Sequence, residues 1–196
     1  MRIAIIRHGE VDYNWSRWCT SDEFDKECTE YDRSPIKHIS WRLPISGIQN
    51  VFISTLSRSG NTAKMLFATD NFKTISWIDE VPLRSSFDTE KKLPLWFWNI
   101  SGRLQWFINC SRQMEGRLGT EKRARSFVDL LCKEGVDSAV VTHGFYMHVL
   151  LKEMRQAGFR IDNLRVVVNT LAEGKLLEEK YRDHALTGEY KGFREC

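Results

Sequence analysis

The stretch Ile3-Ala4-Ile5-Ile6-Arg7-His8-Gly9-Glu10 decides the fold. Four apolar residues run without interruption and stop at charge and at Gly9, which reads as a strand of a parallel sheet buried on both faces. Two more runs have the same form: Asn50-Val51-Phe52-Ile53, ending at Ser54-Thr55, and Asp137-Ser138-Ala139-Val140-Val141-Thr142, ending at His143-Gly144. Weaker candidates are Lys73 to Ile78 and Arg165 to Val168. Helical spacing follows the strands. Leu56, Ala63, Leu66 and Phe67 share one helical face, with Gly60 weakening that helix by about 1 kcal/mol relative to Ala. Phe145, Val149, Leu150 and Met154 repeat helically after Gly144, and Ala124, Phe127, Val128 and Leu131 do so within Arg123 to Lys133. Strands alternating with helices predict an α/β fold, a doubly wound, mostly parallel sheet flanked by helices. Residues 11–45 and 83–117 break the alternation and read as excursions from the sheet, inserted segments that form a cap over the functional site.

The chain has 196 residues, one ordinary domain by size, and is taken as a single domain over 1–196. Its 42% hydrophobic content supplies a core, and 29 basic against 26 acidic side chains leave a net charge of +3, too little for a nucleic-acid-binding field. Anion recognition must therefore be local. Five cysteines with no CxxC pair suggest neither a disulfide framework nor a zinc knuckle, so reduced thiols and a cytoplasmic setting are expected. The N-terminus reaches charge too early for a secretory signal. The most apolar window, Leu93 to Ile108, is interrupted by Asn99 and Arg103 and falls short of the ~20 residues a membrane span requires, so no stable insertion is expected.

Guanidinium and imidazole groups stand where the strands end. Arg7 and His8 close the first run, Arg58 follows the second, and His143 closes the third. Ligands of open α/β sheets bind outside the carboxyl ends of the strands, so these groups can converge from distant parts of the chain. Two planar forks beside two imidazoles suit a phosphoryl group, because each fork pairs with oxygens spread around phosphorus. The helix after Ser54 adds backbone N–H groups if its N-terminus faces the site. One neutral imidazole can then attack phosphorus.

The ordered set Arg7-His8-Gly9-Glu10, Ser54-Thr55-Leu56-Ser57-Arg58 with Thr62-Ala63, and Thr142-His143-Gly144 resembles the histidine phosphatase superfamily, also called phosphoglycerate-mutase-like. The resemblance spans most of the chain. It implies that His8 is the nucleophile that becomes phosphohistidine, that Arg7 and Arg58 clamp the phosphoryl oxygens, and that His143 donates to them. Asn14, six residues after His8, would add a neutral hydrogen bond. The family's proton donor follows the strand third in chain order, where Trp77-Ile78-Asp79-Glu80-Val81-Pro82 stands; Glu80 is the first choice and Asp79 the alternative. The implied enzyme is a phosphatase acting on small-molecule or peptide phosphomonoesters, with no metal and no cofactor. The chain departs from the family pattern in Asp22 to Ile45 and at Glu80-Val81-Pro82-Leu83-Arg84, where a mutase-type segment is absent. That favours phosphatase over phosphomutase. A non-catalytic phosphate-binding scaffold is disfavoured by the intact basic set.

Plainer readings stand beside these. Glu10 supports the site or starts a helix, Thr142 shapes a strand end, Ser54 and Thr62 serve the following helix with Ser54 as its cap, and His38, His148 and His184 are structural or superficial. Cys19 reads as a bystander. The aromatic segment Leu95-Trp96-Phe97-Trp98 through Trp106-Phe107 is core packing of an inserted helix, a lid over the site, or, least favoured, a membrane-interface surface.

Overall fold

The computed structural model describes residues 1–39, 47–67 and 69–160, together with the backbone of 184–185 and 194–195. The chain divides into two compact units, Met1–Gly158 and Phe159–Cys196. In the second, β7 (His184–Ala185) pairs antiparallel with β8 (Arg194–Glu195). The expected strand at Arg165 to Val168 lies outside the described residues, as do Trp41 and the end of the first excursion.

The first unit is built on a sheet of β1 (Ile3–Arg7), β3 (Asn50–Ile53), β4 (Lys73–Thr74) and β6 (Ser138–Thr142) in the order β1-β6-β3-β4, every pair parallel. The register sets Arg7 beside Thr142 and Ile53 beside Val141, so the three motif-bearing strands end side by side. Central β6 is buried at all five positions, which is why its sequence runs apolar without alternation. β1 is only half-buried, contrary to the expectation from Ile3 to Ile6, because it stands at the end of the described sheet order with one strand neighbour. The candidate at Lys73 to Ile78 shortens to β4 and a 3₁₀ turn at Ser76–Ile78.

Helices cover both faces. α2 (Ser57–Leu66) lays Ala63 and Leu66 on Val51, Ala139 and Val141, while Phe52 points the other way and meets Phe127 of α4 (Arg117–Glu134) edge-to-face at 5.4 Å. α4 packs on α5 (Gly144–Gln156) and ends at Gly135, whose φ of +66° is the left-handed stop glycine tolerates. This is the doubly wound arrangement the alternation predicts.

The two excursions pair with each other. β2 (Trp18–Cys19) runs antiparallel to β5 (Leu93–Pro94), and α1 (Ser21–Arg33) and α3 (Leu95–Phe107) share a core in which Phe24 stacks on Trp98 at 5.8 Å. The Trp98 indole is fully buried and donates to the Cys19 carbonyl, and Trp106 donates to Thr120 Oγ1. These two tryptophans are core, whereas Trp96 is 63% exposed. No described helix is long and apolar enough to cross a membrane.

Candidate active site

The carboxyl ends of β1, β6 and β3 gather three side chains. The His8 and His143 rings lie 5.1 Å apart, and Arg58, from the first turn of α2, reaches between them. Its Nε is 3.3 Å from His8 Nε2 and 3.2 Å from His143 Nδ1, so one N–H is shared between two imidazoles. Arg58 is 1% exposed, its guanidinium sits over the Tyr31 ring, and its Nη1 donates to Asp32 at 2.8 Å. That carboxylate, half exposed at the end of α1, is the counter-ion that makes a buried guanidinium tolerable.

The donors fix the ring tautomers. A guanidinium can only donate, so His8 Nε2 and His143 Nδ1 are both acceptors. The His8 hydrogen therefore sits on Nδ1, which points at the Gly9 carbonyl at 2.7 Å; the His143 hydrogen sits on Nε2, 2.7 Å from Ser54 Oγ. Both rings are held neutral. Burial drives His8 down to about 4, opposed by its bond to Gly9 and reinforced by Arg58 and Arg7. Burial again, then Arg58 and His8, takes His143 to about 2. A neutral imidazole with its Nε2 lone pair free to turn from Arg58 to phosphorus is what nucleophilic attack requires.

Arg7 stands exposed beside this cluster, and a Cβ at Gly144 would lie 3.0 Å from its Nε and 3.1 Å from its Cζ. The glycine after His143 thus gives the Arg7 guanidinium its place. Thr62 accepts from the Gly9 N–H and donates to the Arg58 carbonyl, tying the loop after β1 to α2. Thr142 donates to Ile78 at 2.7 Å and anchors the segment that carries the acid candidates. Arg58 opens on a cleft of about 1020 Å³ shared with Asp79, Glu80, Leu95 and Arg103, and Arg7 and His8 on a smaller one of about 330 Å³; Trp15 and Tyr31 wall both. The excursions therefore do border the site, through these two rings and α3.

Other expectations fare differently. Glu80 accepts from the backbone of Phe145, Tyr146 and Val81, so its carboxylate covers the N-terminus of α5. Asp79 is engaged by the backbone and hydroxyl of Thr55. Asn14 is exposed, lines neither cavity and makes no side-chain hydrogen bond among the described residues. Ser54 is not the cap of α2, which begins at Ser57 with Leu56 as its uncapped N-cap residue; its hydroxyl is committed to His143. Glu10 pairs with Lys37. Cys19 is buried and its thiol is pushed up to about 11 by that burial, so it is an inert bystander. Among the described residues no group of three or more His, Cys, Asp or Glu side chains is placed to hold a metal ion. Sequence reasoning missed Asp32, Tyr31 and the role of Ser54; a Ser-x-x-x-Arg spacing after a strand was the only visible hint of the last.

Three comparisons bear on this chain. It is 24% identical over 213 aligned positions to an uncharacterized phosphatase, PhoE, of Bacillus subtilis (strain 168), with 97% of each chain covered. Among solved structures it is similar to the alpha-ribazole phosphatase of Shigella flexneri (17% identity, 83% of this chain and 87% of that one, TM-score 0.48) and to a phosphoserine phosphatase of Entamoeba histolytica in complex with 3-phosphoglyceric acid (18%, 82% and 86%, TM-score 0.45). A family model described as the bacterial toxin of a type II toxin-antitoxin system, YafQ, matches residues 140–196, under a third of the chain. The part of that match from the end of β6 through α5 is built into the first unit and carries His143. Motif order, the parallel sheet and a 24% likeness over 97% of the chain to a curated phosphatase agree with the resemblance to the histidine phosphatase superfamily.

Proposed function

We propose that the protein is a phosphatase that hydrolyses phosphomonoesters through a phosphohistidine at His8. The observation that carries this reading is the single Arg58 N–H shared between His8 Nε2 and His143 Nδ1, a donor placed where a phosphoryl oxygen would meet both rings. On engagement Arg58 passes that hydrogen bond to the phosphoryl group and frees the His8 lone pair. Arg7 and Arg58 then neutralise the oxygens, the preorganised charge stabilisation that dominates phosphoryl transfer. Such a route needs no metal ion. Asn14, six residues after His8, is the further hydrogen-bond donor of this reading.

Glu80 protonates the departing oxygen, and the same carboxylate later takes a proton from the water that releases phosphate from His8. It lines the cleft onto which Arg58 opens, at the N-terminus of the helix that follows His143. That role requires Glu80 to leave the Phe145 and Tyr146 N–H groups during turnover. The leaving group is a small or peptide-borne alcohol accommodated in the cleft. A cytoplasmic setting accords with Cys19, Cys28, Cys110 and Cys132, which stand as free thiols.

The test is phosphate release from an aryl phosphate in the presence of chelator, with acid-labile, base-stable phosphate trapped on the protein during turnover. His8→Ala must abolish both signals. Turnover that survives His8→Ala, or labelled phosphate that appears on a product isomer rather than free, overturns the assignment.

A further inference from the structure

The proposed reaction needs His143 to present a hydrogen to the phosphoryl group, yet in this structure the ring's only hydrogen points away from Arg58 and His8, toward Ser54. Ser54 is 2% exposed, and its position is set by bonds that owe nothing to His143. Its backbone N–H donates to Ser59 Oγ at 3.0 Å, that hydroxyl donates to the Val141 carbonyl at 2.6 Å, and Ser54 Oγ accepts from Leu56 N at 3.2 Å. The Ser54 backbone is thereby tied through Ser59 to Val141 of β6, two residues before the histidine that the serine hydroxyl faces. A serine needed only for the Leu56 turn would not have to lie 2.7 Å from Nε2 of a fully buried imidazole.

We propose that Ser54 is a positioning residue of the reaction: by accepting the Nε2 hydrogen it fixes His143 in the tautomer and rotation that keep Nδ1 facing Arg58 and His8, where Nδ1 takes up a proton and donates it to a phosphoryl oxygen. This inference rests on the phosphohistidine reading above. The proton comes with the substrate. A phosphomonoester near its second ionisation, about pH 6, is partly monoanionic. One P–O–H bond breaks and one Nδ1–H bond forms, leaving a dianionic phosphoryl group hydrogen-bonded to an imidazolium, with total charge unchanged. Arg58 Nε, displaced from Nδ1, donates to another phosphoryl oxygen. Ser54 Oγ is an acceptor for Nε2–H before and after the transfer, so nothing on that side of the ring rearranges. With the opposite tautomer, Nε2 would lack its hydrogen and Nδ1–H would confront Arg58 donor to donor.

The experiment compares Ser54→Ala with the wild-type chain and with Ser54→Thr, which keeps the hydroxyl. In ligand-free protein labelled with ¹⁵N histidine, the wild type shows His143 as one Nε2–H tautomer, Ser54→Ala shows a tautomer mixture, and Ser54→Thr restores the single form. With phenyl phosphate as probe, kcat falls roughly 10–100-fold in Ser54→Ala while KM changes less than threefold, and Ser54→Thr recovers at least a third of the rate. If Ser54→Ala does not fold, Ser54→Cys, close in size and a weaker acceptor, is measured in its place with the same outcomes expected. A single unchanged tautomer, or kcat within twofold of wild type in a folded variant, overturns the inference. If the wild type itself releases no phosphate, the phosphatase reading fails, while the tautomer spectra still judge Ser54.

Discussion

Two neutral imidazoles buried at one site make the fold sensitive to mild acid, and the size of that sensitivity follows from the structure. His8 is held at about 4 and His143 at about 2, against an ordinary value of 6.5. A histidine whose folded value is depressed destabilises the folded state as pH falls through its unfolded value, because the unfolded chain takes the proton and the folded chain cannot. The loss therefore begins near pH 6.5 and, for His8, levels off near pH 4. Between pH 7.5 and 5 each ring costs about 2 kcal/mol at roughly 1.36 kcal/mol per unit, so the pair removes about 4 kcal/mol, a large part of a typical domain's stability. The charged groups that act on the rings are Arg58, Arg7, Arg123 and Asp32. The measurement is urea unfolding at the two pH values for the wild type and for His143→Gln, which keeps hydrogen-bonding capacity but cannot titrate. The variant should lose about 2 kcal/mol less than the wild type over the same interval, and millimolar inorganic phosphate at pH 5 should restore part of the wild-type loss. Equal pH dependence in the two chains would refute the claim that His143 is buried neutral.

Three further outcomes are expected. Gly144→Ala puts a methyl group 3.0 Å from Arg7 Nε, so it should lower kcat/KM for an aryl phosphate about tenfold while leaving the melting temperature unchanged or slightly higher, since alanine improves the first turn of α5. Glu80→Gln should reduce turnover of an alkyl phosphate by about 10²–10⁴-fold and of p-nitrophenyl phosphate far less, because a good leaving group needs no proton; equal losses on both would remove Glu80 from the acid role. Trp98→Ala should cost about 3–5 kcal/mol in chemical unfolding and Trp96→Ala under about 0.5 kcal/mol, the first ring being fully buried and the second 63% exposed.

What the sequence made legible was whatever depends on local pattern. The runs at Val51, Ala139 and their neighbours declare strands because a sheet covered on both faces needs apolar side chains at every position. The grouping of His8, Arg58 and His143 follows once those strands are parallel, since their carboxyl ends must then lie together. α1 was harder to see. It shows water a mostly polar face, and its one local signal is the reciprocal capping pair of Thr20 and Glu23. α3 hid a different fact: it is apolar on two sides, so periodicity cannot say that Trp98 faces the core and Trp96 does not.

The residues that escaped altogether are those whose meaning is relational. Asp32 is an unremarkable acid in a polar stretch until α1 brings it 2.8 Å from a guanidinium 26 positions away. Ser54 reads as a helix cap by type and place, and only the observed start of α2 at Ser57, with the His143 ring across from it, gives the hydroxyl another task. Glu80 shows the same limit from the other side. Its place after the third strand suits a proton donor, but three backbone N–H groups hold its carboxylate, and under the proposed role that resting contact would make the acid's release part of the catalytic cycle. A variant that loosens the start of α5 without touching Glu80 should then change the rate with poor leaving groups alone. That separates an acid that must be freed from one that stands ready.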